Sequence, residues 1–447
     1  MASHHSDDHP AAAAHGALRD HPLRVALTNE LHARPPEALA APMRASHLAM
    51  LSGETAGERD RAHFAALCAR LGAPPPAPEA NHHSVDLGTC RMKWERHTEF
   101  SSYIVFRAGC DAAHPFADPA IAALPADWLA ALPGERLVGL HLAMLPHDQA
   151  MRPAEAFGTE SFVGARFTTD PAQEGPAADG LARGWTDFRV HGDGWGRVLV
   201  QDRGLGTRQA GRLVQRLVEI ETYRMLALLA LPVARAAVPR LGAAEAAVAA
   251  AAQRATELKG LEDDRALLEQ LTRLAAEAAQ ITATTSYRFA AARAYYALVG
   301  QRVADLREGR IEGLQTYGEF LSRRLAPALD TCEAVAARQE SLATRIDRAG
   351  TLLRTRVDVA LQEQNAGLLR SMDQRARLQL RLQETVEGLS VVAITYYALG
   401  LVGHALEGLR AEGLPINVAI GTGIAVVPML LLVWGGLHRL RRRLGPR

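Results

Sequence analysis

Two lysines, Lys93 and Lys259, are all that this 447-residue chain contains; its other basic residues are arginines. Neither sign of charge is in excess, since 50 basic against 49 acidic residues leave a formal net charge of +1. That balance gives no global attraction to nucleic acid, and no nucleic-acid partner is expected. Cysteine is scarce. Cys68, Cys90, Cys110 and Cys332 form no C-x-x-C pair and no zinc-ligand spacing, so they read as reduced thiols of a cytoplasmic protein. No metal or cofactor is expected. Neither a serine or cysteine nucleophile elbow nor H-E-x-x-H occurs, which leaves catalysis without a motif. The opening stretch MASHHSDDHPAAAAHG lacks the apolar run of a secretory signal. Residues 1–20 read as a disordered tail, whose His4, His5, His9 and His15 offer weak metal binding as the alternative.

What is present changes character twice. From His21 to about Leu71 short helical stretches alternate with turns, with a Pro-Pro break after Arg34. GAPPPAP, residues 72–78, reads as a stiff extended linker. A sheet is predicted over about 81–204. RMKWERHTEFSSYIVFR, ERLVGLHLAML and SFVGARFT have the aromatic and β-branched content of strands, and TDFRVHGDGWGRVLVQD reads as a hairpin turned at Gly-Asp-Gly. Residues 21–206 are thus expected to form one α+β cytoplasmic domain.

From residue 207 to 388 a helical bundle and stalk are expected. Leu213, Leu217, Ile220 and Leu228 follow helical spacing, Thr207 can cap the first turn, and Pro232 and Pro239 end or bend the helix. Ala243 to Leu306 reads as one long helix, and Gly309 and Gly313 bracket a turn. Pro327 can open the last helix, which runs proline-free to Gly388 for roughly 60 residues, about 90 Å. Ile346, Val357 and Leu368 recur every eleven residues, the period of a straight bundle. That stripe suits either packing on its own domain or a coiled-coil-like stalk against copies of itself.

Two uncharged runs close the chain, at 389–406 and 415–437. Both approach or exceed the length that crosses a hydrocarbon core, so a transmembrane hairpin anchored in the lipid bilayer is expected. Arg375, Arg377 and Arg381 precede the first run. Arg439, Arg441, Arg442, Arg443 and Arg447 follow the second, in a basic tail at 438–447. Positive charge on the cytoplasmic side puts both termini inside and the link, with Glu407, Arg410 and Glu412, outside. Gly400 and Gly403, and Gly421 and Ala425, are small residues suited to helix–helix contact. A pore lined by Thr395, Tyr396 and Gly400 is the alternative use of this segment.

Four stretches resemble one bacterial family of uncharacterised membrane-anchored proteins, the domain of unknown function 3422. They are HPLRVALTNELHARPPEAL at 21–39, KWERHTEFSSY at 93–103, GRLVQRLVEIETYRMLALLALPVAR at 211–235 and EGLSVVAITYYALGL at 387–401. The resemblance implies an anchor in the inner membrane and no established activity. The layout, a cytoplasmic α/β body with a long helix entering two C-terminal spans, is also similar to CorA-type magnesium channels. Their Gly-Met-Asn signature is missing from the loop GHALEGLRAEGLP. Layout alone does not carry function.

Two clusters could carry chemistry. VLVQDRGLGTRQAGR at 198–212 is a strand, a glycine-rich loop and a helix start. Gly204, Gly206 and Gly211 open the backbone among Arg203, Arg208 and Arg212, a setting that attracts anions. The bland alternative is a tight turn with solvated arginines, since neither G-x-G-x-x-G nor G-K-[ST] is present. In KWERHTEF, strand alternation would put Glu95, His97 and Glu99 on one face, and Trp94, Arg96 and Thr98 on the other. That face can tune a histidine or hold a cation, or simply form a salt-bridge ladder. Asn29, Glu30, His32 and Arg34 are candidates to complete it. The function expected is a membrane-anchored scaffold or sensor, homo-oligomeric through the stalk, with an oligomeric CorA-like channel as the alternative and an enzyme around Glu95 and His97 third.

Overall fold

The structure is a computed structural model that describes residues 21–25, 27–28, 35–149, 151–168, 180–257, 260–415 and 417–444. The expected tail at 1–20 lies outside them, as do Asn29, Glu30, His32 and Arg34. The chain divides into two units, Met1–Ala250 with Arg273–Ile346, and Ala251–Thr272 with Asp347–Arg447. The architecture is α+β: an N-terminal sheet followed by long helices.

The first unit is built on a nine-stranded sheet. Its strands are β1 (Met43–Leu51), β2 (His82–Asp86), β3 (Arg91–Arg96), β4 (Phe100–Ala108), β5 (Glu135–Pro146), β6 (Val163–Phe167), β7 (Ala182–Thr186), β8 (Gly196–Asp202) and β9 (Glu308–Arg310). They lie in the order β2-β3-β4-β1-β5-β8-β7-β6-β9. All neighbours are antiparallel except β5 and β8. The sheet is therefore wider than the 81–204 stretch suggested by the sequence. β1 comes from the segment read as helices and turns, yet it sits between β4 and β5, with Ser46 opposite both Val105 and His141. Its alanines, leucines and methionines favour a helix locally, and burial on both faces removes the alternation that would betray a strand. β9 is recruited from the turn at Gly309. GAPPPAP joins α1 (Gly57–Arg70) to β2 inside this unit, tied down where His83 Nε2 donates to the Pro74 carbonyl at 3.0 Å.

One sheet face packs against α1 and the short α2 (Ala126–Ala130). Phe64 and Leu67 of α1 and Trp128 of α2 meet Leu48, Met92, Trp94, Tyr103 and Val105. The short α3 (Pro153–Phe157) covers the same layer near β8 with Phe157. The other face carries α4 (Thr207–Leu228), which buries Leu213, Leu217 and Ile220 as its spacing predicts. Thr207 is not its cap. Gly206 holds that position, and the Gly206 N–H donates to Gln209 Oε1 at 2.8 Å. Leu229 separates α4 from α5 (Ala230–Glu257), which takes Pro232 into its first turn and continues through Pro239. The helix expected over 243–306 is two helices, because α6 (Leu261–Leu306) starts afresh after Gly260 with Glu262, Asp263 and Asp264 in its first turn. Acidic side chains there complement the helix dipole. A capped helix follows, α7 (Tyr317–Arg324), with Thr316 Oγ1 accepting from the Glu319 N–H.

The long helix α8 (Ala326–Ala411) has 86 residues without interruption, about 129 Å at helical rise. The stretch expected as a stalk therefore runs straight into the first uncharged run. Along its eleven-residue stripe Ile346 is buried, Val357 half-buried and Leu368 exposed. In the second unit Arg356 pairs with Asp264 at 3.3 Å and donates to the Ala255 carbonyl. There α8 also meets α9 (Val418–Leu444). A Cβ at Gly403 would lie 3.4 Å from Thr422 Cγ2, and one at Gly421 only 2.8 Å from Leu406 Cδ1. Glycine permits this approach. Gly400 has nothing within 4 Å.

Candidate functional site

The turn between β3 and β4 gathers much of what the sequence singled out. Strand alternation holds through Arg96 and then stops, because the His97 N–H closes a tight turn onto the Phe100 carbonyl at 2.9 Å. The three acidic and basic groups around it consequently go to three different elements instead of forming one face.

Glu95 stays on the α4 side of the sheet, buried, with Lys93 Nζ 2.9 Å from its Oε1. The same ammonium donates to the Pro35 carbonyl at 3.1 Å, so the end of the stretch HARPP is brought to this pair. Arg96 turns to the α1 side. It donates to Ser52 Oγ at 2.8 Å and to Asp60 Oδ2 at 3.2 Å, while Ser101 also donates to Asp60 Oδ2 at 2.7 Å. Asp60 is fully buried at the start of α1, where a carboxylate is favoured by the helix dipole. Glu99 reaches α6. Arg288 grips it with two bonds, of 3.0 and 2.7 Å, and Tyr295 Oη donates to it at 2.9 Å. Burial and the neighbouring Glu99 charge both push the Tyr295 phenol up. His97 itself lies flat on Phe100, with ring centroids 4.3 Å apart.

Between this turn, α4 and α6 lies an open cleft of about 450 Å³, with Asn81, Arg96, His97, Thr98, Tyr223 and Tyr295 on its walls. Tyr223 and Tyr295 stack at 5.9 Å. A second hollow of about 20 Å³ lies between Glu95, His97, Ser102, Glu219 and Thr222, room for one water. Beneath it His47 Nε2 is 2.9 Å from Thr222 Oγ1, whose own hydrogen goes to the Val218 carbonyl at 2.8 Å. A hydroxyl has one hydrogen to give, so His47 is the donor. Burial lowers its pKa from 6.5 to about 3. On α4, Glu219 is held by Arg302 and by Gln215.

Every carboxylate of this site that the geometry resolves is engaged by a cation or hydroxyl of its own chain. Among the described residues, no three histidine, cysteine or acidic side chains cluster with metal-ligand spacing. The carboxylates of this site are thus taken up by ion pairs and hydrogen bonds within the protein. The buried pair Ser46–His141 makes the same point. Ser46 Oγ lies 2.9 Å from His141 Nδ1 and accepts from the Ile121 N–H at 3.1 Å. Both side chains are buried, and His141 lies against Trp195 at 4.1 Å. Burial lowers His141 to about 4, so it is a neutral core histidine.

The glycine-rich loop has its donors occupied from within. The N–H groups of Gly204 and Leu205 both donate to Asp202 Oδ1, at 2.9 and 2.8 Å, and that of Gly206 goes to Gln209. Arg208 and Arg212 are exposed, and the Arg203 N–H donates to the Leu181 carbonyl at 2.9 Å. Gly211 serves packing, since a Cβ there would stand 1.6 Å from the Glu37 carbonyl oxygen. Farther along, Thr395 is buried and bonds its own helix at the Val391 carbonyl, 2.7 Å away; Tyr396 and Gly400 are exposed.

Two of the stretches that distinguish this sequence, 93–103 and 211–235, face each other across the two cavities. A family model described as Protein of unknown function (DUF3422) matches residues 19–444. The chain belongs to that family. No curated protein and no solved structure matches it, and the likeness of layout to CorA-type channels has no match behind it. Sequence reasoning singled out Glu95, Arg96, His97 and Glu99, which the structure places at the one turn. It missed His47, Asp60, Thr222, Tyr223, Arg288 and Tyr295. The bonds from Arg288 and Tyr295 to Glu99 join residues 189 and 196 positions apart, a distance over which no spacing motif survives.

Proposed function

We propose that this family member is a scaffold or sensor whose body stands in the cytoplasm and whose α8–α9 pair anchors it in the bacterial inner membrane. One observation carries the reading. The most apolar stretch of α8 is 6% buried and that of α9 not at all. Leu401, Ile424 and Leu432 are each at least 70% exposed. Water does not tolerate a contiguous apolar surface of that extent, and hydrocarbon does. Trp434, close to Arg439, suits the membrane boundary, and the arginines flanking both runs favour a cytoplasmic body and C-terminus. The stalk joins copies into a homo-oligomer, and the cleft at His97, with paired charges and stacked tyrosines, suits a ligand or partner held without chemistry.

The test is alkaline carbonate extraction of cell membranes, combined with labelling of a Glu412→Cys variant by a membrane-impermeant maleimide. The protein is expected to stay in the pellet and to be labelled from outside. Release into the supernatant removes the anchor; labelling only after permeabilisation reverses the orientation.

The channel reading has one observation in its favour, the unbroken entry of α8 into its apolar run. Thr395, one of its three pore candidates, is buried and bonded within its own helix, which weighs against it. Ion flux in proteoliposomes equal to that of empty vesicles ends this reading.

A further inference from the structure

Every residue of α8 from Gln362 to Val386 is exposed, about 38 Å of helix at 1.5 Å per residue. Its sequence is not that of a solvated helix. Leu361, Leu368, Leu382 and Leu389 stand at seven-residue intervals, with Arg375 completing the series. Asn365, Met372, Gln379 and Val386 form the second series, four residues on from each. Glu363, Arg370, Arg377 and Glu384 repeat at the same interval on the opposite side. Leu368, Met372 and Leu382 are 58–65% exposed. Leucine at four of five positions of the first series, and apolar residues alternating with Asn365 and Gln379 in the second, give at a period of seven the seam of a left-handed coil, which needs a second helix.

Among the described residues, the chain places no second helix on this face. Its longest stretch outside the described residues, 1–20, contains Pro10 and no seven-residue apolar repeat, and 169–179 is short and carries Pro171 and Pro176. We infer that residues 361–389 pair with the same residues of a second copy, parallel and in register. The inference rests on the membrane-anchored reading, because anchors at the C-terminal end of every stalk hold the copies parallel and level. It adds the residues that meet. The positions flanking the seam, among them Gln364, Ser371, Ala376 and Gln383, are uncharged, so neighbouring copies meet no like charges there. Asn365, and Arg375 with Gln379 at mid-seam, are its polar positions, which lower affinity and penalise slipped registers. Tethering in one membrane offsets that loss by raising the effective concentration.

The experiment uses the full-length protein in its membranes, with half-buried Cys110 replaced by serine. Single cysteines are placed in the seam (Leu368→Cys, Leu382→Cys) or opposite it (Arg370→Cys, Glu384→Cys) and treated with a short bismaleimide. Seam cysteines are expected to give a band at twice the chain mass several-fold stronger than the opposite positions. Arg375→Leu is expected to raise the fraction that stays oligomeric on dilution in mild detergent, and Leu368→Asp with Leu382→Asp to abolish it. Equal yields from both faces, adducts only to a different protein, or no gain with Arg375→Leu overturn the seam. Carbonate extraction of the same membranes separates the two claims. Retention without seam crosslinks leaves the anchor standing and the seam refuted, while release removes the parallel alignment and the seam with it.

Discussion

The helical stretch Thr207–Glu257, of 51 residues, and the helix Val418–Arg439, of 22, are each long and apolar enough to cross a membrane, as is the end of α8. Their surroundings differ. A third of the most apolar window in Thr207–Glu257 is buried within the protein, against none in Val418–Arg439. The reason is angular. Within that stretch Leu226, Ala230, Ala234, Ala237 and Leu241 are buried along one face, while Arg235 and Arg240 are exposed. On α9 Ile420, Ile424, Val427, Leu431, Leu432 and Trp434 are exposed, and only the face of Gly421 and Thr422 meets α8. An amphipathic helix finds its partner in its own domain; a helix apolar on every side needs a solvent that is itself apolar. Apolar content alone does not separate the two.

Substitutions in the body should have the largest effect. Trp94→Ala empties a fully buried site beside Phe64 and is expected to cost about 3–5 kcal/mol in urea unfolding. A loss below about 1 kcal/mol would mean that this sheet face is not close-packed. Arg288→Ala leaves Glu99 buried and unpaired, a loss of roughly 3–5 kcal/mol. Adding Glu99→Gln should recover much of it, and no recovery would count against the ion pair. On the other side of the comparison, Leu431→Arg is expected to disfavour insertion by about 2.5–3.5 kcal/mol, read as release by carbonate. An unchanged pellet fraction breaks the contrast.

The pH dependence belongs to the body alone. Burial holds both core histidines neutral, lowering His47 from 6.5 to about 3 and His141 to about 4. Below pH 6.5 the unfolded chain therefore binds more protons than the folded one. The stability is complete above that pH and is lost as pH falls, by roughly 1.4 kcal/mol per pH unit for each histidine, until the folded value is reached. His47→Gln should make the decline shallower between neutral pH and pH 5; parallel declines would assign the acid sensitivity elsewhere. The smallest effect is expected at Tyr397, 73% exposed. Tyr397→Ala should change the unfolding of the detergent-solubilised body by less than about 0.5 kcal/mol.

Much of the fold was legible where periodicity is strong and local. The strand character of RMKWERHTEFSSYIVFR, the strand at Glu135–Pro146, the buried stripe of α4 and the continuity of α8 into its apolar run all follow from patterns within a few residues. β1 was not legible, because neighbours on two edges and two faces decide it and leave no alternation to read. A break between Glu257 and Leu261 divides a long alanine-rich run whose composition otherwise favours continuation. At the site, the cluster of Glu95, Arg96, His97 and Glu99 was visible, but the single face assigned to it was not correct. The turn at His97 ends the alternation: Glu95 pairs with Lys93 of its own strand, Arg96 with Asp60 of α1 and Glu99 with Arg288 of α6.

The sequence by itself determined the family, the α+β order of elements, the long C-terminal helix and the two apolar runs, because each is a property of composition or of short-range periodicity. Only the tertiary structure decided which apolar helix is core and which is bare, and that Asp202 fills the glycine-rich loop. It also decided that Glu99 belongs to Arg288 and Tyr295. Those outcomes depend on side chains brought together from distant parts of the chain, where desolvation makes an unpaired charge too costly to leave and any internal partner within reach is taken.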